Sequence, residues 1–218
     1  MSRTSHILNS PSALLLLVQL AGVLLYPFME DTTTGRTLFN VFALVVLAAA
    51  LRVVRRSPWL TWLALLLALP VVLLLLINAI APDPRIAVAT AALEAAFYFY
   101  ATGSLIAYML QDHVATTDEL FCAAATFTLL GWAFTYLYTV LIPGSFGAQS
   151  AAETRTWMEL LFLSFTTLSG VGLGDILPLK PMARALVMLE ELAGLMYIAL
   201  VVSRLIGLIT FSRRRDES

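Results

Sequence analysis

The chain has 218 residues, of which 60% are hydrophobic and only 12% are Asp, Glu, Lys or Arg, against roughly 45–50% and about 25% in an ordinary soluble domain. So little charge cannot cover a water-facing surface, and the apolar content suffices for five or six bilayer crossings at about 20 residues each. With a net charge of -1 and Lys180 as the only lysine there is no basic face for nucleic acid, and the single Cys122 cannot form an intrachain disulfide.

Six apolar stretches read as spanning helices, at residues 11–29, 37–54, 58–80, 84–111, 117–142 and 181–211. Ser10-Pro11, Ser57-Pro58 and Asp83-Pro84 each place a capping side chain before a proline, whose missing N–H is no loss at a helix start. Arg3 precedes the first stretch, but no small-residue cleavage site follows it, so this helix is expected to be retained. Trp59 and Trp62 read as interfacial anchors, and Pro70 is expected to kink the third helix.

The fourth stretch carries no Lys or Arg after Arg85, and none occurs again until Arg155. A membrane field acts on charge, at about 2.3 kcal/mol per elementary charge moved through 100 mV, so this helix offers the field almost nothing to push. Glu94 is its one formal charge, readable either as a gating group or as a structural carboxyl. Tyr98, Tyr100 and Tyr108, with Phe97 and Phe99, read as an aromatic packing cluster.

Thr116 with Glu119, and Thr156 with Glu159, have capping-box spacing. The segment 156–168 is therefore a deliberate helix, yet at about 20 Å it is too short to span, which suits a re-entrant element. Arg3, Arg52, Arg55, Arg56 and Arg213 to Arg215 place both termini in the cytoplasm of a multi-pass cell-membrane protein, with the terminal arginines as a stop signal. His6 and His113 are isolated and show no metal-ligand spacing, and the lack of an internal repeat argues against an inverted-repeat transporter.

The most informative run is Ser164-Phe165-Thr166-Thr167-Leu168-Ser169-Gly170-Val171-Gly172-Leu173-Gly174-Asp175-Ile176-Leu177-Pro178. Glycines at every second position permit alternating backbone hands, because glycine enters the left-handed region without a Cβ penalty. Successive carbonyls can then line a hole and replace the water shell of a dehydrated monovalent cation. The end of the preceding helix near Leu168 carries partial negative charge, which favours a cation.

This run resembles the pore region of the tetrameric potassium channel family, whose filter reads Thr-Val-Gly-Tyr-Gly-Asp behind a Thr-rich pore helix; the resemblance covers roughly residues 156–211. It implies that the carbonyls of Gly170, Val171, Gly172 and Leu173 bind K+, and that Thr166, Thr167, Ser169 and Gly174 shape the filter. Asp175 would stand at the outer mouth. Gly194 matches the position where that family's inner helix often bends.

Gly170 stands where the family has Thr, so one hydroxyl is missing from the innermost ion site, and Gly170→Thr is expected to sharpen potassium selectivity. Leu173 replaces Tyr, and Phe162 and Leu163 stand where many members have Trp. Apolar packing of Phe162, Leu163 and Leu173 would then replace a hydrogen-bonded cuff. In the last helix, Glu190 and Glu191 point about 100° apart. Glu190 reads as a support behind the filter, with gating as a further role, or as one of a neutralised pair. Arg204 is expected to snorkel to the headgroups.

The expected fold is all-α transmembrane, with six spans and a re-entrant pore helix and filter between the fifth and sixth. Residues 1–116 would form a four-helix domain resembling a voltage sensor without gating arginines, and 117–218 the pore domain. One chain supplies one quarter of a filter ring, so a homotetramer in the lipid bilayer is implied, with no enzyme chemistry and no cofactor besides permeant K+. A weakly selective cation pore is the alternative within this class; a secondary transporter or non-conducting scaffold is the alternative outside it.

Overall fold

A computed structural model describes residues 10–29, 33–57, 60–111, 117–141, 143–148 and 155–216. Helices α1 (Pro11–Leu25), α2 (Thr33–Val54), α3 (Thr61–Ile80), α4 (Pro84–Met109), α5 (Thr117–Thr139), α6 (Trp157–Leu168) and α7 (Pro181–Asp216) follow one another. A 3-10 turn, Tyr26–Phe28, follows α1, and two short strands, β1 (Phe146–Ala148) and β2 (Ile176–Pro178), flank α6.

Two of the expected helix starts are capped as the sequence implies. Ser10 Oγ accepts from the Ala13 amide at 3.1 Å, and Asp83 Oδ1 accepts from the Arg85 amide at 2.7 Å. The third rests on Pro58, which lies outside the described residues; α3 begins at Thr61 after Leu60, which has no side-chain cap, and the Ser57 hydroxyl meets that of Ser104 on α4. Trp59, His6, His113 and Thr116 also lie outside the described residues. α3 runs through Pro70 as one helix, and Trp62 is exposed.

Among the described residues, five segments are long and apolar enough to cross a membrane: Pro11–Phe28, Thr61–Ile80, Pro84–Met109, Asp118–Thr139 and Pro181–Arg204. α2 has 22 residues, but its apolar part is confined to Val41–Val54.

α5 is the packing centre, lying against α1, α4, α6 and α7. Within the protomer α5 is far more buried than the Pro181–Arg204 part of α7. Met182, Met188, Leu189, Leu192, Leu195 and Met196 thus leave α7 an open apolar face.

The first turn of α5 is tied in two directions. Asp118 accepts from the hydroxyls of Ser10 and, at 3.2 Å, Ser12 on α1, with Tyr108 of α4 at 3.4 Å. Glu119 pairs with Arg204 of α7 at 3.0 Å. Arg204, expected to reach for headgroups, is therefore engaged within the protein.

The strands were not legible in the sequence. β1 and β2 pair antiparallel, Phe146 opposite Pro178 and Ala148 opposite Ile176. The Leu179 amide donates to Ser145 O at 2.9 Å and Lys180 Nζ to Pro143 O at 2.9 Å, strapping the chain before α6 to the chain after residue 175.

Candidate functional site

α6 starts with the capping box that its sequence announces: Thr156 Oγ1 accepts from the Glu159 amide at 3.2 Å, and Glu159 Oε2 accepts from the Thr156 amide at 2.7 Å. It stops at Leu168 because the following residues turn back onto its last carbonyls. Gly170 N–H donates to Thr167 O, and Val171 and Gly172 N–H both donate to Thr166 O, each at 3.0 Å. Ser169 Oγ donates to Thr166 O at 3.3 Å. The negative end of α6, expected to face an ion, is thus taken up largely by the amides of residues 170–172.

Gly170, Gly172 and Gly174 have φ of +72°, +53° and +73°, and no described non-glycine residue has positive φ. The backbone alternates in hand from residue 170 to 174, as the glycine spacing predicts. A Cβ on Gly170 or Gly172 would meet nothing within 4 Å, so conformation and not crowding demands glycine there. Residues 169–175 are all exposed in the protomer, Val171 by 61% and Leu173 by 62%. Asp175 is exposed and accepts from the Ile176 amide at 3.0 Å.

Of the three residues expected to pack as an apolar cuff, Leu163 is buried in the protomer, whereas Phe162 and Leu173 are exposed. Glu190 of α7 is fully buried and accepts from Tyr138 Oη of α5 and Ser164 Oγ of α6. Ser164 Oγ also lies 2.9 Å from Gly131 O of α5, so its one hydroxyl proton serves either acceptor. Of the two adjacent carboxyls, Glu190 points inward and Glu191 is exposed.

Glu190→Leu leaves the buried Tyr138 hydroxyl unpartnered, while Ser164 keeps Gly131. A loss of about 1–3 kcal/mol is expected, read as a lower Tm in detergent. Adding Tyr138→Phe should recover part of it; a double variant no more stable than the single one would contradict this arrangement.

Thr166 and Thr167 are buried, and Thr166 Oγ1 donates to Leu163 O at 2.9 Å. α7 is continuous through Gly194, expected as a bend. A Cβ there would stand 2.2 Å from Leu168 O and 2.7 Å from Leu168 Cα, so this glycine lets α7 touch the end of α6. Glu94 is buried on α4, and among the described residues no hydrogen bond or ion pair joins it to α6 or to 169–175. Tyr100 Oη donates to Leu60 O at 2.8 Å. Sequence reasoning missed Tyr138 and Ser164 as partners of Glu190, because only the packing of three helices brings them together.

Residues 125–211 match a family model described as an ion channel, a span that takes in most of α5, all of α6, the glycine run and α7 up to residue 211. No curated protein and no solved structure matches the chain. Residues 125–211 are thus similar to an ion-channel segment, within a chain whose described residues include five helices long and apolar enough to cross a membrane. The segment begins within α5 and leaves out the first four helices.

Proposed function

We propose that the chain is one subunit of a potassium-preferring channel, a homotetramer conducting through the backbone carbonyls of Gly170, Val171, Gly172 and Leu173. The observation that carries this reading is the alternation of hand at residues 170–174, in a run that is exposed in the protomer as is one face of α7. Exposed filter backbone and an exposed apolar helix are what one quarter of a ring presents before its neighbours close it.

In this reading α2 is the sixth span, since 22 residues make about 33 Å of helix, and α6 is re-entrant. Both termini are cytoplasmic, α7 lines the pore, Asp175 stands at the outer mouth, and residues 1–116 form a peripheral domain. α4, with no basic residue beyond Arg85, does not confer arginine-driven voltage sensing. The test is cation flux through purified protein in liposomes, with reversal potentials in opposed K+ and Na+. Flux at channel rates favouring K+ is expected; saturable coupled transport or no flux contradicts the proposal.

Gly170 favours a second reading, a weakly selective monovalent cation pore. The position lacks the hydroxyl and also holds φ +72°, so it differs from a threonine site in its backbone. Gly170→Thr adds the hydroxyl but forces a β-branched residue into the left-handed region, at about 1–2 kcal/mol per subunit. This variant is therefore expected to lose flux rather than simply gain selectivity. Sharper K+ over Na+ discrimination at undiminished flux would contradict the structural account of residue 170.

A further inference from the structure

Trp157 is the first residue of α6, at the end opposite the glycine run. Its indole sits in a ring of aromatic side chains. Tyr26, in the turn after α1, lies 5.2 Å away between centroids, Phe39 of α2 lies 5.0 Å away at 62°, and Trp132 of α5 lies 5.2 Å away at 87°. Tyr136 of α5 completes the set at 6.0 Å. Tyr26 and Phe39 meet each other edge-on at 5.0 Å, and Tyr136 stacks on Tyr98 of α4 at 5.6 Å.

One side chain thus joins α6 to α1, to α2 and, through Tyr136, to α4. The indole N–H groups of Trp132 and Trp157 have no hydrogen-bond partner among the described residues, so edge and face contacts fix these rings. The other attachment of the early helices described above, Asp118 with Ser10, Ser12 and Tyr108, is at the start of α5, and its hydrogen bonds run to α1 and α4.

The geometry points to Trp157 as a positioning residue through which the first four helices set the shape of the filter. This rests on the channel reading of residues 170–174. α6 is a single helix of 12 residues, about 18 Å long. A shift imposed on Trp157 therefore travels as a rigid displacement to the Thr166 and Thr167 carbonyls, which hold the amides of Gly170, Val171 and Gly172. A peripheral domain without gating charges then has a mechanical role: its aromatic ring fixes where α6 stands, and with it the width of the filter.

The test uses the full chain in liposomes and reads the K+ to Na+ permeability ratio, which a merely stabilising residue does not move. Trp157→Leu is expected to change the ratio threefold or more, and Trp157→Phe, which keeps an aromatic ring in place, to stay near the wild-type value. Phe39→Leu, in α2 and outside the filter region, should move the ratio in the same direction by twofold or more. It should add nothing in the Trp157→Leu background. Equal effects of Phe39→Leu in both backgrounds, or an unmoved ratio in Trp157→Leu, overturn the proposal. If Trp157→Leu does not fold, Phe39→Leu alone decides: an unchanged ratio overturns it. Absence of flux from the wild-type protein contradicts the channel reading and this inference with it, whereas flux with unmoved ratios overturns the inference alone.

Discussion

Gly172→Ala is expected to abolish cation flux while leaving the protein folded and inserted. Gly172 holds φ +53°, and its N–H donates to Thr166 O at 3.0 Å. A methyl group there has space, with nothing within 4 Å, so the fold has no steric reason to fail. The conflict is with the backbone. An L-residue in the left-handed region costs about 1–2 kcal/mol, and in the proposed tetramer four copies would bring about 4–8 kcal/mol against the conducting conformation. The residue escapes by changing hand, which turns a carbonyl out of the array and releases the Thr166 bond. Flux should fall more than tenfold with Tm nearly unchanged; wild-type flux in this variant would show that left-handed backbone at residue 172 is not needed for conduction.

Gly194→Ala should do the opposite, damaging stability first. The added Cβ would stand 2.2 Å from Leu168 O and 2.8 Å from Leu168 C. Both are backbone atoms at the end of α6, so no rotamer change relieves the contact and the two helices must separate. A cost of about 1–3 kcal/mol is expected, seen as a lower Tm. A hinge role predicts a different result, because Ala in place of Gly inside a helix gains about 1 kcal/mol where there is room. A raised Tm together with altered gating would restore the hinge, and a lowered Tm supports close packing on Leu168.

Local chemistry was what the sequence made legible. The Thr156–Glu159 box, the Ser10 and Asp83 caps and the hand of Gly170, Gly172 and Gly174 each depend on a few neighbouring residues, and each took the expected form. Apolar runs located the helices for a similar reason, since length and hydropathy are properties of a window.

What escaped depends on packing between distant segments. β1 and β2 are three residues each, too short to show periodicity, and pair only because α6 returns the chain beside itself. Glu190 carried a signal, a carboxyl at membrane depth, but not its partners Tyr138 and Ser164, which lie 52 and 26 residues away. Arg204 looked like a lipid anchor because nothing in its own helix reveals Glu119, 85 residues earlier. Of the residues expected in an apolar cuff only Leu163 is buried in the protomer, and Phe162 and Leu173 are exposed, which the sequence around each does not reveal.

The central claim is that backbone from identical subunits encircles the permeant ion, and an image of the purified protein in lipid, viewed along the membrane normal, tests it most directly. The account predicts a fourfold particle with residues 170–174 of each copy around the axis and ion density between them. A monomer, or an assembly whose glycine run lies away from any shared axis, would contradict it.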